Sequence, residues 1–495
     1  MIGKYTLEIG QKSDGTNDFV KGMSTGPATP DGGFSNETNA CNIMTVPGVL
    51  YQQSDITDKT GTLSGVIVAA CPDPYFLNSS NIGLPTGNDH YFLTDTGKFY
   101  TWNGTSMTLK RTAALNTSTY NLGNSYIISY QGLDATSRVF ATNSTDIVMW
   151  TVDSAFNEQW GSVTQTQSLT VGARHPMIVY NNTLYFMDKN LVHAWNGTTF
   201  TKSILTLSPE YNIIACGVDP GSGKMMLSVT GGANASDTKH SNSSIFLWDG
   251  IEPTVPSKRI PVDDQITAFH NNSGTVYVFY GNNMGYFNGT GITFLHKLKN
   301  VTFSNDMLPY VYKVASSGGT IYVVDGTQIL AYGEIMGEQK KVFRYIYTNQ
   351  AASSSSETTL RLIVNLGSDL LGISNRNDSA EGLFSTLDTN SVASVTNPVA
   401  FYSKRYTFPR PIFVRSIFVE YDLAISNGVS AGTVCIIDDS LTTTCPTAPT
   451  AIGSQGVLYS TARDIKTRSL QIKYTQFQGV VTGVRRFIIM YDVAE

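Results

Sequence analysis

Residues able to do chemistry are scattered along this chain of 495 residues and fall into no catalytic spacing. Gly221-Ser222-Gly223-Lys224 has the glycines and lysine of a phosphate-cradling loop, but the full GxxxxGK[ST] spacing is missing and Met225 follows the lysine, so it reads as a hairpin turn. The six histidines, His90, His175, His193, His240, His270 and His296, never take HxH or HExxH spacing and do not point to zinc. Asp263-Asp264 and Asp438-Asp439 offer adjacent carboxylates for calcium, without the alternating acids of a calcium loop. Cys41, Cys71, Cys216, Cys435 and Cys445 contain no CxxC pair and are expected as buried thiols; Cys435 and Cys445 facing each other across a hairpin is the oxidised alternative. No residue is assigned a catalytic, cofactor-binding or metal-binding role.

What the chain does repeat is a turn signature. Trp102-Asn103-Gly104-Thr105, Trp195-Asn196-Gly197-Thr198, Trp248-Asp249-Gly250 and Phe287-Asn288-Gly289-Thr290 recur, with a fainter Tyr332-Gly333. Asn-Gly supplies the positive backbone angles of a tight hairpin, and the flanking Tyr, Val, Ile, Phe and Trp suit half-buried strands. Upstream, Tyr185, Tyr277 and Tyr322 each precede their partner aromatic, Trp195, Phe287 and Tyr332, by the same interval, and Tyr91 with Trp102 is one residue longer. Weaker strands at Val139-Phe140 before Trp150 and Met225-Met226-Leu227 before Trp248 complete six units. A period of about 45 residues belongs to four-stranded propeller blades, which bury their faces only by stacking on one another. Thr94-Asp95-Thr96-Gly97-Lys98-Phe99-Tyr100 resembles the Asp-box turn of sialidase propellers, in a single copy whose role is structural.

The elements that would position any site are therefore all β. Residues 1–60, rich in Gly, Asp, Asn, Ser and Thr, are expected as an extended N-terminal arm; 61–410 as a β-propeller of about seven blades, the last built from Leu360–Val364 and Ala400–Tyr402; and 411–495 as a β-sandwich. The sandwich is expected from the long alternating runs at 411–421, 469–474 and 486–491.

Composition narrows the class. The charged fraction is 14% and the net charge −5, which argues against a general nucleic-acid binder. The longest apolar run, Val66–Cys71, is too short to span a bilayer, and the opening Met1–Glu8 lacks a secretory signal, so cytoplasmic synthesis is expected. Asn-x-Ser/Thr triplets are frequent, but several belong to the hairpin signature and read as turn chemistry rather than glycan acceptors. Arg405, Arg410, Arg415, Arg463, Lys466, Arg468, Arg485 and Arg486 make the end of the chain mildly basic; they read as a solvated surface or as partners for an acidic neighbouring subunit.

The lead-in Phe19–Gly26, Asp31–Asn36, Cys41-Asn42-Ile43 and Val46-Pro47-Gly48-Val49-Leu50 resembles the opening of the tail propeller proteins of tailed bacteriophages, of the nozzle and hub kind typified by tail tubular protein B and DNA-stabilisation hub proteins. That resemblance implies a non-enzymatic virion structural protein. It would assemble as a homo-oligomeric ring, a hexamer by expectation, against adaptor and other tail proteins, with genomic DNA passing through unread during ejection. A receptor-binding or baseplate propeller of the virion, and a propeller glycosidase or lyase, are the alternative expectations.

Overall fold

The computed structural model describes residues 4–10, 12–14, 23–24, 34–35, 41–42, 51–52, 56–58, 63–72, 90–102, 104, 106–112, 123–132, 137–143, 147–151, 169–231, 243–251, 256–298, 311–326, 328–334, 341–348, 360–367, 370–376, 382–388, 400–422, 432–446, 448–451, 455–476 and 483–494. Most of the lead-in that carries the phage resemblance lies outside them.

Seven blade-sized antiparallel sheets follow one another along the chain. They occupy 67–112, 126–151, 177–206, 211–262, 266–297, 314–348 and 360–388; the second has three strands and the other six have four. The protein is a β-propeller, as the repeat requires. The last sheet takes its fourth strand from Ile56–Asp58, early in the chain, rather than from Ala400–Tyr402. Ala400–Tyr402 instead pairs with 473–475. A local reading of the repeat assigns each strand to its sequence neighbours, and this is where a strand from far away replaces one.

By packing, the chain divides into two units, one of 57–327 with 350–386 and the other of 1–56 with 328–349 and 387–495. Within the first unit the opening strands of the seven sheets, Ile67–Pro72, Tyr126–Gln131, Met177–Tyr180, Tyr211–Asp219, Ile266–Asn272, Val314–Ser317 and Leu360–Gly367, each lie against the next, and the last lies against the first. The circuit is closed.

Alternation along the strands explains the repeat. Side chains at successive positions point to opposite faces, and here both faces are covered. In the third blade, Leu184, Phe186 and Trp195 pack on Tyr130, Phe140 and Met149 of the blade before. Tyr185, Met187 and Val192 pack on Met225, Leu227 and Trp248 of the blade after. Leu184 pairs directly with Trp195, so the Tyr one residue on must face the other way. Signature aromatics therefore face backwards: Trp102 meets the seventh blade, Trp248 the third and Phe287 the fourth. The upstream tyrosines Tyr91 and Tyr185 face forwards. Tyr185 meets Trp248 edge to face at 5.8 Å, an arrangement that aromatic quadrupoles favour.

The turns behave as their composition demands. The side-chain oxygen of Asn196 accepts from the backbone N–H of Thr198 and Thr199 and from the Thr198 hydroxyl, and Asn288 repeats this with Thr290 and Gly291. Gly197 and Gly289 hold φ of 105° and 86°, a region a Cβ strains. The triplets at 196–198 and 288–290 are thus capped turns.

A single turn of 3-10 helix, Val311–Lys313, touches the inner strands of the first, fifth and seventh blades. The Tyr312 hydroxyl donates to the carbonyl of Ile127 and accepts from its N–H, both at 2.7 Å, satisfying polar groups on the inner strand of the second blade.

In the second unit the sandwich core gathers residues from both ends of the chain. Lys4–Gly10, expected as part of an extended arm, pairs along its length with Val484–Val493, and Ile9 is fully buried with Phe487 and Ile489. The strand Gly456–Gln476 joins two layers: residues between 456 and 470 pair with Tyr406–Tyr421, whereas 471–476 pair with Gly432–Ile437 and, at 473–475, with Ala400–Tyr402. Tyr459 donates to the carbonyl of Gly432 at 2.6 Å across the interior. Cys435 and Cys445 form a disulfide that closes the hairpin; the expectation of two thiols is corrected.

Phe384 of the seventh blade sits 5.0 Å from Phe92 and 5.3 Å from Trp102 of the first, measured between rings, and all three are fully buried. Phe384→Ala is expected to lower the unfolding free energy in urea by roughly 3–5 kcal/mol, whereas Phe294→Ala, at an exposed ring, should change it by less than about 0.5 kcal/mol.

Candidate functional site

Most carboxylates singled out in the sequence are spent on turns. Asp95 accepts from the Val66 N–H at 2.9 Å and so ties the first blade's hairpin to its incoming strand. Asp264 caps Gln265. Asp438 accepts from the amides of Ser440 and Thr442, and Asp439 from that of Arg468, which draws the Asp439 carboxyl below its ordinary range. Among the described residues no three His, Cys, Asp or Glu side chains are placed to hold a metal ion.

The histidines separate by role. His90 is buried and reaches the carbonyl of Asn365 at 2.8 Å, between the first and seventh blades. His175 and His193, both buried, flank Asp188 at 3.6 Å and 3.9 Å. Burial alone would raise the Asp188 carboxyl, but the neighbouring His193 ring, the hydrogen bond from the Thr170 amide and the His175 charge hold it below its usual value. Sequence spacing does not show this trio, because His175 and His193 meet Asp188 only after their strands pair. It is a buried interior cluster. His240 lies outside the described residues.

The basic residues near the end of the chain are largely neutralised within it. Arg415 pairs with Asp492 at 2.7 Å, Arg485 with Asp422 at 3.0 Å, and Arg486 with both Glu420 and Glu8. Arg405 donates to the carbonyl of Asp438 and the hydroxyl of Ser469, and Lys466 lies over the Phe413 ring. These side chains brace the sandwich. Nothing is described of the Arg463 side chain.

One open cleft of about 650 Å³ lies between the fourth and fifth blades. Its rim carries Lys224, at the end of the Gly-Ser-Gly turn, Lys258, Ser222, Ser257 and Asn288, and its floor includes Phe287. The Ser257 hydroxyl accepts from Lys224 Nζ at 2.7 Å while donating to the carbonyl of Leu247 at 3.0 Å, which fixes that ammonium. Lys258 Nζ donates to the carbonyl of Gly289 at 2.8 Å. Asp219, also on the wall, is occupied by the amides of Gly221 and Ser222 and the Ser222 hydroxyl. The sequence reading of Gly221–Lys224 as a hairpin turn matches its place between two paired strands. The reading missed the second lysine, which folding brings alongside from another connection.

No protein-family model matches the chain, and no curated protein matches it. Among solved structures it is similar to Raptor from Chaetomium thermophilum, at 8% identity and a TM-score of 0.44, over 68% of this chain and 30% of that one. It is also similar to BBS1N in complex with ARL6DN (11% identity, TM-score 0.42, 68% of this chain and 96% of that one). A third similarity is to the computationally designed Ika8 protein (10%, 0.36, 66% and 99%). Similarities this slight leave the propeller assignment resting on the strand pairings.

His270 gives the propeller a measurable pH dependence. Its Nε2 is buried with no hydrogen-bond partner, and burial lowers the imidazole from 6.5 to about 4. The unfolded chain binds a proton between those values and the folded chain does not, so stability is fullest above the higher value and falls as pH drops through the window. The melting temperature is expected to decline between those two pH values, and His270→Phe should flatten that decline; the loss from Asp188 lies lower, below its ordinary value of 3.8.

Proposed function

We propose that this chain is a non-enzymatic structural subunit of a bacteriophage tail, a ring-forming hub or nozzle protein around the channel through which DNA leaves the virion. The observation that supports an assembling role is the edge of the sandwich. Among the described residues Lys4–Gly10 is the terminal strand of its sheet, paired with Val484–Val493 on one side. A strand in that position presents unpaired backbone donors and acceptors to a neighbouring chain. Tyr5 stands 49% exposed on it, stacked on Tyr491 at 5.8 Å, which adds an aromatic anchor of the kind interfaces use.

The lead-in motifs shortly after this strand supply the phage resemblance, and the remaining partners follow from it: copies of the same subunit, adaptor and tail proteins, and unread duplex DNA. In this reading the protein is made in the host cytoplasm and resides in the virion.

Negative-stain class averages of the purified protein and of its parent particle test the proposal. A multi-subunit ring, hexameric by expectation, with a lumen wide enough for duplex DNA is the expected result. A monomer in both preparations overturns it.

A further inference from the structure

The sheet that holds Lys4–Gly10 treats its two edges differently. At the far edge Ala448–Ala451, paired with Gly456–Gln476, is four residues long and carries Pro449, features that oppose the addition of a further strand. Lys4–Gly10 has neither. Its pairing with Val484–Val493 runs through seven residues without proline or bulge, which leaves a regular edge of the same length. Among the described residues, Tyr5–Ile9 bond to nothing on that side.

We propose that a second copy of this chain fills that edge, its own Lys4–Gly10 running antiparallel about a two-fold axis at Thr6. Side chains alternate along the strand. Leu7 and Ile9 face the sandwich core and Tyr5, stacked on Tyr491, shares their side, whereas Thr6 and Glu8 face away. To keep core side beside core side, an antiparallel copy must place odd residues opposite odd ones. An axis at Thr6 does so. It sets Tyr5 opposite Leu7 and Lys4 opposite Glu8, each twice, with Thr6 opposite Thr6 at the centre. Aromatic–aliphatic, opposite-charge and threonine–threonine pairs are cross-strand combinations that stabilise a sheet. An axis at Leu7 also matches the faces, but it puts Thr6 opposite Glu8 and Lys4 opposite Gly10, losing both charge pairs. A parallel copy in the same register would set Glu8 beside Glu8, which repels.

The surroundings of Glu8 favour the same arrangement. One of its oxygens accepts from the amide of Ser13 and the other faces Arg486 at 3.7 Å. Arg486 is nearer to Glu420, at 2.7 Å, so two carboxylates share one guanidinium. A lysine brought opposite Glu8 by the second copy evens that count. The inference rests on the assembling role proposed for this edge, and on neither the phage tail nor the ring. A two-fold contact closes on itself, so it joins copies in pairs and other contacts must complete any ring.

Sedimentation of the full chain, together with a cysteine placed on the axis, tests the pairing. Thr6→Cys, at an exposed position, should link copies into disulfide dimers under a small-molecule disulfide oxidant, whereas Leu7→Cys and the unsubstituted chain should not. Lys4→Glu should weaken the dimer by about tenfold, and Glu8→Lys should do the same. An equal mixture of those two variants, or both exchanges in one chain, should restore it, a recovery that a folding defect would not give. Dimers linked at Thr6→Cys without a ring uphold the pairing and overturn the ring. A ring that ignores both charge exchanges and stays unlinked at Thr6→Cys does the reverse. Monomers at every concentration, or linkage through Leu7→Cys in place of Thr6→Cys, overturn the pairing.

Discussion

Every blade of this propeller is apolar on both faces, and that single constraint organises the rest. A strand buried on two sides cannot be completed by its own sheet, so each blade is half of two cores. The contact of Tyr185 with Trp248 is the joint made visible: the forward-facing residue of one unit meets the backward-facing residue of the next. A row of such joints must end somewhere or close. Here the ring of Phe384 against Phe92 and Trp102, the bond from His90 to the carbonyl of Asn365 and the borrowed strand Ile56–Asp58 close it.

What the sequence revealed of the fold followed from how local its cause was. The Trp-Asn-Gly-Thr turns and the tyrosines upstream of them are set by neighbours within one hairpin, so their spacing exposed the blades directly. Ile56–Asp58 and Lys4–Gly10 have no such local partner. Their places depend on strands hundreds of residues away, and short segments carry too little pattern to reveal that. The paired arginines show the same limit, since Arg415 reads as a surface charge until Asp492 arrives beside it. At the cleft the Gly-Ser-Gly-Lys segment reads in the sequence as an ordinary blade hairpin. Its neighbour Lys258 comes beside it only once the strands of the blade pair.

Charge is distributed accordingly. In the sandwich, Arg415, Arg485 and Arg486 meet carboxylates of the same chain, and ion pairs of this half-exposed kind contribute little energy beyond fixing geometry. On the propeller, Lys224 and Lys258 are anchored by neutral oxygens instead.

The pairing of Lys4–Gly10 with Val484–Val493 also sets an order in time. During synthesis Lys4–Gly10 waits for Val484–Val493, with all the blades made in between. Because long-range contacts form only after the intervening chain has paid its loop entropy, the sandwich is the slow element and the blades are the quick ones. Until that late strand arrives, Ile9 and its neighbours have no core to enter. A nascent chain stalled before Val484–Val493 would therefore carry blades able to fold beside an unpaired strand, the form most open to a chaperone or to another copy of itself.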